Sequence, residues 1–227
     1  MVEPVTPSEG WGCLHLFCLV GDDADRQAVL AAVKSAHEDE HQVVPFAVLG
    51  HKADLGFMAI GPDLWRLQQF QNDLREAGLE FVDSYVSLTE VSEYSKGMPE
   101  ELLEARLHPH LPPPDKTAIC FYPMSKKRDV GANWFTLPFE ERKELMFGHG
   151  KVGREFAGRI LQLITGSVGL DDYEWGVTLF AKDPVDLKEC VYRMRFDEGS
   201  AVYADFGPFI TGLIGLPEEV LDRVGLR

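Results

Sequence analysis

His149 is the single histidine in the second half of this 227-residue chain, and it lies in "GHGKVG" between Gly148 and Gly150, with Gly153 one turn on. A glycine inside a helix costs about 0.5–1 kcal/mol relative to alanine, so a helix weakened at its histidine asks for a reason. The residues one turn away on the same face are Leu145, Met146, Val152 and Gly153, an apolar surface of low relief. Two readings stand. One is a solvated histidine on a loose helix. The other is an axial ligand for a porphyrin iron, whose broad ring would press against such a surface. No second histidine lies near in sequence, which argues against a multi-histidine zinc or non-haem iron site.

Other residues could share that chemistry. In "CFYPMSKKR", strand alternation puts Cys120, Tyr122 and Met124 on one face. The run Lys126, Lys127, Arg128 reads either as a solvated loop or as a local positive site suited to carboxylates or phosphates. Arg154, one turn beyond Gly150, and Arg106, in a proline-rich stretch, could add to it. Gln162 interrupts the apolar run "ILQLIT" and shares a face with Ile164; an amide there must find a hydrogen bond or meet a ligand. Gly176, inside "YEWGVTLFA", marks a close approach by another group, and "FDEGSAVYADFGPF" adds Ser200 and a Gly-Pro turn.

These residues need a frame to hold them. In the first half "CLHLFCLV" (13–20) reads as a strand, 22–40 as a helix, 43–50 and 55–61 as strands, 62–78 as a helix and 79–94 as a long strand. The polar, proline-rich stretch 95–116 reads as a linker. The second half repeats the order: a strand at 117–124, helices from Pro138 to about Gly158, strands at 160–167 and 173–181, a helix at 183–195 and a last strand at 203–215. Two β-α-β-β-α-β units in tandem predict an α+β fold of two ferredoxin-like halves, 1–110 and 111–227. Helices cover one face of each sheet. The bare faces are expected to meet each other, giving a barrel-like arrangement with helices outside.

Composition narrows the partners. The net charge of −15 repels phosphate backbones and anionic lipid, so neither nucleic acid nor a stable membrane association is expected. No apolar run approaches the ~20 residues that span a bilayer, and the N-terminus shows no secretory pattern. Cys13, Cys18, Cys120 and Cys190 form no CxxC pair and read as buried thiols of a reducing cytoplasm.

The stretches "YPMSKKR", "NWFTLPFEERKELMFGHGKVGREFAG", "QLITGSVGLDDYEWGVTLFAKDP" and "YRMRFDEGSAVYADFGPF" closely resemble the coproheme-decarboxylating branch of the chlorite dismutase-like family. The resemblance runs through 117–212 and is looser before it, resting there on "SYVSLTEVSEY". It implies the same double ferredoxin-like fold, a homopentamer, and haem in the second half. His149 would be the proximal iron ligand, with the glycines clearing room for the macrocycle. Tyr122 would be the redox-active tyrosine, Lys126 the lysine near the reacting propionates and Gln162 the distal residue. Met124, Arg154 and Ser200 match pocket positions, the last two for propionates, and Arg106 would be a further propionate-binding arginine.

The implied reaction turns iron coproporphyrin III, or coproheme, into haem b. Hydrogen peroxide oxidises the iron, the tyrosine takes hydrogen from a propionate, carbon dioxide leaves, and a vinyl group remains. Coproheme is then substrate and redox centre at once. The resemblance also implies a transient contact with the coproporphyrin ferrochelatase. Two rivals stay open: a haem-binding carrier on the same scaffold, which needs His149 but not Tyr122, and a chlorite dismutase. Chlorite chemistry would place an arginine where Gln162 stands, and a neutral amide holds an oxychlorine anion poorly. His108 and His110, in "LHPHLPP", are the histidines that could act as a distal base instead.

Overall fold

The computed structural model describes residues 3–95 and 97–227. The first half runs β1 (Gly12–Val20), α1 (Arg26–Glu38), β2 (Gln42–Val48), β3 (Leu55–Gly61), α2 (Leu64–Glu76) and β4 (Leu79–Thr89). A helix, α3 (Glu100–Leu107), follows. The second half begins with β5 (Ala118–Lys126), a small hairpin of β6 (Arg128–Asp129) and β7 (Ala132–Asn133), and a short 3-10 turn at Trp134–Thr136. It continues with α4 (Phe139–Arg154), β8 (Ile160–Gly166), β9 (Trp175–Ala181), α5 (Pro184–Met194) and α6 (Glu198–Ala201). It ends with β10 (Ala204–Phe206), β11 (Ile210–Ile214) and α7 (Pro217–Arg223).

The strands of each half pair in ferredoxin-like order, β2-β3-β1-β4 and β8-β9-β5-β11, all antiparallel. Two seams join the halves, β11 on β2 and β4 on β8. With β5 also bonded to β9, the sheet closes on itself, and β10 hangs from β5 alone. Closure leaves no long free edge and makes an interior that both halves must fill. Phe17, Phe46 and Met58 from the first half meet Ile119, Phe121 and Phe180 from the second there. Outside, α1 and α2 cover the first half through Val33, Phe70 and Leu74 packed on Leu16, Leu55 and Phe57. Helix α7 joins that layer through Val220 and Leu221.

Polar bonds inside the barrel link one half to the other. His15 Nε2 lies 3.0 Å from Thr178 Oγ1, Ser87 Oγ donates to Thr165 Oγ1 at 2.8 Å, and the Tyr85 hydroxyl meets Ser167 Oγ. Burial pushes the His15 imidazole down to about 3, so it is neutral and stacks on Phe121 at 4.1 Å. A one-residue slip of either half would leave these groups without partners, which helps fix the register.

Several elements differ from the sequence reading. The strand expected to reach 94 ends at Thr89. The linker holds α3, whose sequence EELLEARL is rich in helix formers but buries no residue and so shows no apolar stripe. The last strand is two strands, broken at Gly207 and Pro208. A Cβ on Gly207 would stand 2.6 Å from Pro123 and 2.7 Å from Tyr173, and Pro208 has no N–H to donate. Gly176 is crowded as the sequence suggested: a Cβ there would lie 2.9 Å from Tyr85, 3.0 Å from Thr165 and 3.2 Å from Phe121. We therefore expect Gly176→Val to destabilise the barrel by about 1–3 kcal/mol, seen as a lower urea midpoint at an unchanged slope. An unchanged midpoint would mean that the interior is looser than this geometry.

Candidate functional site

The outer face of the second half is covered only in part. Rows of side chains cross it from strand to strand: Gln162, Leu179 and Cys120 in one, Ile164, Val177 and Tyr122 in the next, Gly166, Trp175 and Met124 in a third. Helix α5 seats Leu187 on this wall, and Val177, Leu179 and Tyr122 are buried. Gln162 is exposed and Ile164 keeps 42% of its surface, so the wall stays open at β8. Ile160, at the start of the same strand, and Val152 of α4 both pack on the cluster of Phe156, Cys190 and Met194, which closes one end.

Helix α4 precedes β8 and joins this wall through that cluster. Pro138 sets its start, Glu140 and Glu141 occupy its first turn, and Lys151 and Arg154 its last, all favourable to the helix dipole. None of its residues is buried, and its main neighbours are α5 and α6 rather than a strand. Its apolar residues Leu145, Met146 and Val152 are only half-buried. The glycines beside His149 answer to different causes. A Cβ on Gly153 would sit 3.2 Å from Met194 of α5, so that glycine lets two helices approach. At Gly148 and Gly150 the nearest atoms would be 3.8 and 3.6 Å away, and nothing within the chain requires them to be glycine.

His149 is anchored on one ring nitrogen. Its Nδ1 lies 2.9 Å from Asp197 Oδ2, with Ser200 Oγ at 3.3 Å. Asp197 is the N-cap of α6, and the same oxygen accepts from the Ser200 backbone at 3.1 Å. One capping carboxylate thus also fixes the histidine. Burial pushes the Asp197 carboxyl up, but the hydrogen bond and charge of His149, with both donors of Ser200, outweigh it and hold it below the ordinary carboxylate value. An ionised carboxylate only accepts, so Nδ1 donates to it and Nε2 is the ring nitrogen left outside this pair. The side chain is 24% exposed while that of Asp197 is 6% exposed. A histidine anchored on one ring nitrogen in this way can present the other to a metal.

Tyr122 is 6% exposed, stacked on Phe209 at 4.4 Å and tilted against Phe206 at 5.7 Å. Burial is the main cause that pushes its phenol well above the usual value, and its hydroxyl makes no hydrogen bond to the described residues. Lys126 is 8% exposed. Its Nζ donates to Gly199 O at 2.7 Å and sits 4.2 Å from the Trp134 ring centroid. Gly199 belongs to α6, so Lys126 and Asp197 grip the same turn. Arg128 pairs with the buried Glu174, whose other oxygen accepts from the Lys126 backbone at 2.7 Å. Lys126 and Arg128 are therefore tied into the fold rather than left in a free positive loop.

The other sequence candidates are spread out. Met124 is half-buried against the Tyr122 wall. Ser200 lies beside His149 Nδ1, on the Asp197 side of the ring. Arg154 is exposed on α4 over Phe147 at 5.7 Å. Arg106, on α3, donates to Ser95 Oγ at 3.3 Å. His108 Nδ1 is 2.6 Å from Glu104 and its ring packs on Trp11 at 4.9 Å, whereas His110 is exposed. Sequence reasoning missed Asp197, Trp134, Phe206 and Phe209. "FDEGS" did carry a signal, since an Asp three residues before a Ser reads as a helix cap.

A family model described as chlorite dismutase matches residues 24–215. The chain belongs to the chlorite dismutase family. It is 44% identical to a protein named coproheme decarboxylase from Staphylococcus carnosus, over 98% of both chains. Its fold superposes on a heme-binding protein from Thermus thermophilus with a TM-score of 0.84 and 35% identity, covering 99% of each chain. A chlorite dismutase from Candidatus Nitrospira defluvii superposes at a TM-score of 0.76 with 18% identity, over 96% of this chain and 97% of that one, a likeness of fold alone.

Within this family member the buried ammonium of Lys126 has a testable signature. Burial pushes its pKa down to about 8, against the pull of Asp197 and Glu174. Between pH 8 and the unfolded value near 10.4, the unfolded chain binds a proton that the folded chain has lost. Stability therefore rises across that window, and the cost of the buried charge is fully present below it. We expect the Lys126 side chain to titrate near pH 8 by NMR. We expect Lys126→Met to remove the wild-type gain in stability between pH 8 and 10.5. A midpoint above 10 would mean that the ammonium is solvated.

Proposed function

We propose that this protein is a coproheme decarboxylase that converts two propionates of iron coproporphyrin III to vinyls with hydrogen peroxide, yielding haem b. The reading rests on two features of the second half of the chain, a histidine, His149, anchored by Asp197, and a buried phenol, Tyr122. The 44% identity to a coproheme decarboxylase over nearly the whole chain supports it.

The residues fit such a substrate. His149 offers Nε2 to the iron, and the Asp197 carboxylate keeps that imidazole oriented and electron-rich. The half-buried apolar side of α4 and the open stretch of β8 suit the two faces of a flat ring. Gln162 is neutral, so the side opposite His149 admits peroxide without trapping an anion. Bound coproheme supplies the iron at which peroxide is reduced. Tyr122 gives up hydrogen and takes it back from the propionate side chain. The carboxylate then leaves as carbon dioxide, and a double bond remains. Each propionate consumes one hydrogen peroxide and releases one carbon dioxide and two waters.

Cations hold the propionates. Lys126 spends one of its three donors on Gly199 and keeps two for a carboxylate. In this proposal Arg154, Arg106 and Ser200 engage the remaining propionates, and Met124 lines the ring. A homopentamer, a cytoplasmic setting and passing contact with the coproporphyrin ferrochelatase complete the reading. Among the described residues no helix is long and apolar enough to cross a membrane.

Mass spectrometry of the porphyrin during peroxide titration tests the reaction. We expect two stepwise carboxyl losses ending in haem b. Tyr122→Phe should bind coproheme with an unchanged Soret band yet lose at least about 100-fold in decarboxylation rate, within the range of a positioned proton-transfer group. Full activity in that variant would remove the phenol from the mechanism. Tight binding by the wild type with no mass change would favour a haem carrier. Light scattering on the loaded protein should give five copies per particle, and a monomer would end that part of the proposal.

A further inference from the structure

The cations assigned so far leave the phenol itself unattended. Lys126 turns its ammonium to Gly199 on α6, Arg106 is engaged with Ser95 on α3, and Arg154 lies over Phe147 on α4. Arg195, which caps the C-terminus of α5, is different. Its guanidinium carbon lies 5.2 Å from the centroid of Phe206, the ring that flanks Tyr122. It is exposed and forms no ion pair with any carboxylate among the described residues. With no carboxylate of the described residues paired to it, its charge is free to meet an anionic group beside the buried phenol. Burial raises the Tyr122 phenol, and the charge of Arg195 pulls it the other way.

We propose that Arg195 is a specificity-determining residue that pairs with a carboxylate about to be removed and holds it against Tyr122. The inference rests on the decarboxylase reading above. Its chemistry is that of a planar guanidinium meeting a carboxylate, with two parallel N–H donors fixing orientation as well as charge. Phe206 supports the guanidinium from below by a cation–π contact, which limits its freedom without neutralising it. Because this carboxylate is gone from the product, the arginine discriminates between substrate and haem b. The loss of the pair on reaction favours release of the product.

Binding of two porphyrins to the full-length protein separates this role from a structural one. Ferric coproheme carries the carboxylates that react, and haem b lacks them. In Arg195→Gln we expect coproheme to bind at least about tenfold more weakly, as for loss of a hydrogen bond to a charged group, and haem b to bind within twofold of wild type. Arg195→Lys keeps the charge but not the fork, so it should recover part of the coproheme affinity. It also serves if the glutamine variant fails to fold. Equal weakening for both porphyrins, or none for either, in whichever variant folds would overturn the proposal. Failure of the decarboxylase reading would show separately, as a wild-type protein that binds coproheme and leaves its mass unchanged under peroxide.

Discussion

Each half of the chain forms a sheet with two apolar faces and carries helices for only one of them. An uncovered apolar face cannot be left to water, so the two sheets turn inward and share one interior, which β5 closes by pairing with β9. Much else follows from that closure. All helices are driven to the outside. Strand alternation then sends odd-numbered β5 residues such as Phe121 into the barrel and even-numbered ones such as Tyr122 onto the outer wall. The reactive candidates therefore stand on the back of a rigid, fully packed layer, which is where a precise site is best supported.

The two halves use their outer faces differently. In the first, α1 and α2 lie down on the sheet and bury it. In the second, α5 does the same, but α4 is held away, fastened at its sides to α5 and α6 rather than to strands. The attachment is specific. Gly153 admits Met194, Asp197 caps α6 while binding His149, and Lys126 reaches across to Gly199. A helix with no buried residue gains little from packing, and its glycines cost it further. A flat group covering its half-exposed apolar side would stabilise it. Ligand binding and local stability are therefore linked at this helix.

Much of this was legible in the sequence because it depends on period and punctuation. The repeated order of strands and helices was readable from alternation, caps and glycine stops, and it led to two ferredoxin-like halves. His149 stood out through its glycines, whereas strand parity put Tyr122 on a face with Cys120 and Met124 and the family resemblance singled it out. What could not be read were contacts between segments distant in the chain. Asp197 is 48 residues from His149, and its capping role masked its second use. Ser200 matched a propionate position by resemblance, and nothing in the sequence told that its hydroxyl also stands beside the His149 ring. Lys126 sat on the right face, yet nothing in "SKKR" tells that its ammonium turns toward α6. Helix α3 was hidden for another reason: it buries nothing, so it leaves no apolar period.

The electrostatic layout gives these pieces a common sense. A strongly acidic surface would keep a tetra-anionic porphyrin at a distance unless the cations were gathered where it must dock. Those near the wall are not equivalent. Lys126 is buried and held against an aromatic ring, where its charge is costly but strong because little water screens it. Arg195 is exposed, always charged, and acts at the edge of the phenol. A buried, tunable ammonium suits a carboxylate whose charge changes during reaction. A permanent guanidinium suits one that must be recognised before reaction begins. Division of labour between the two would let one wall both select its substrate and respond when the carboxylate departs.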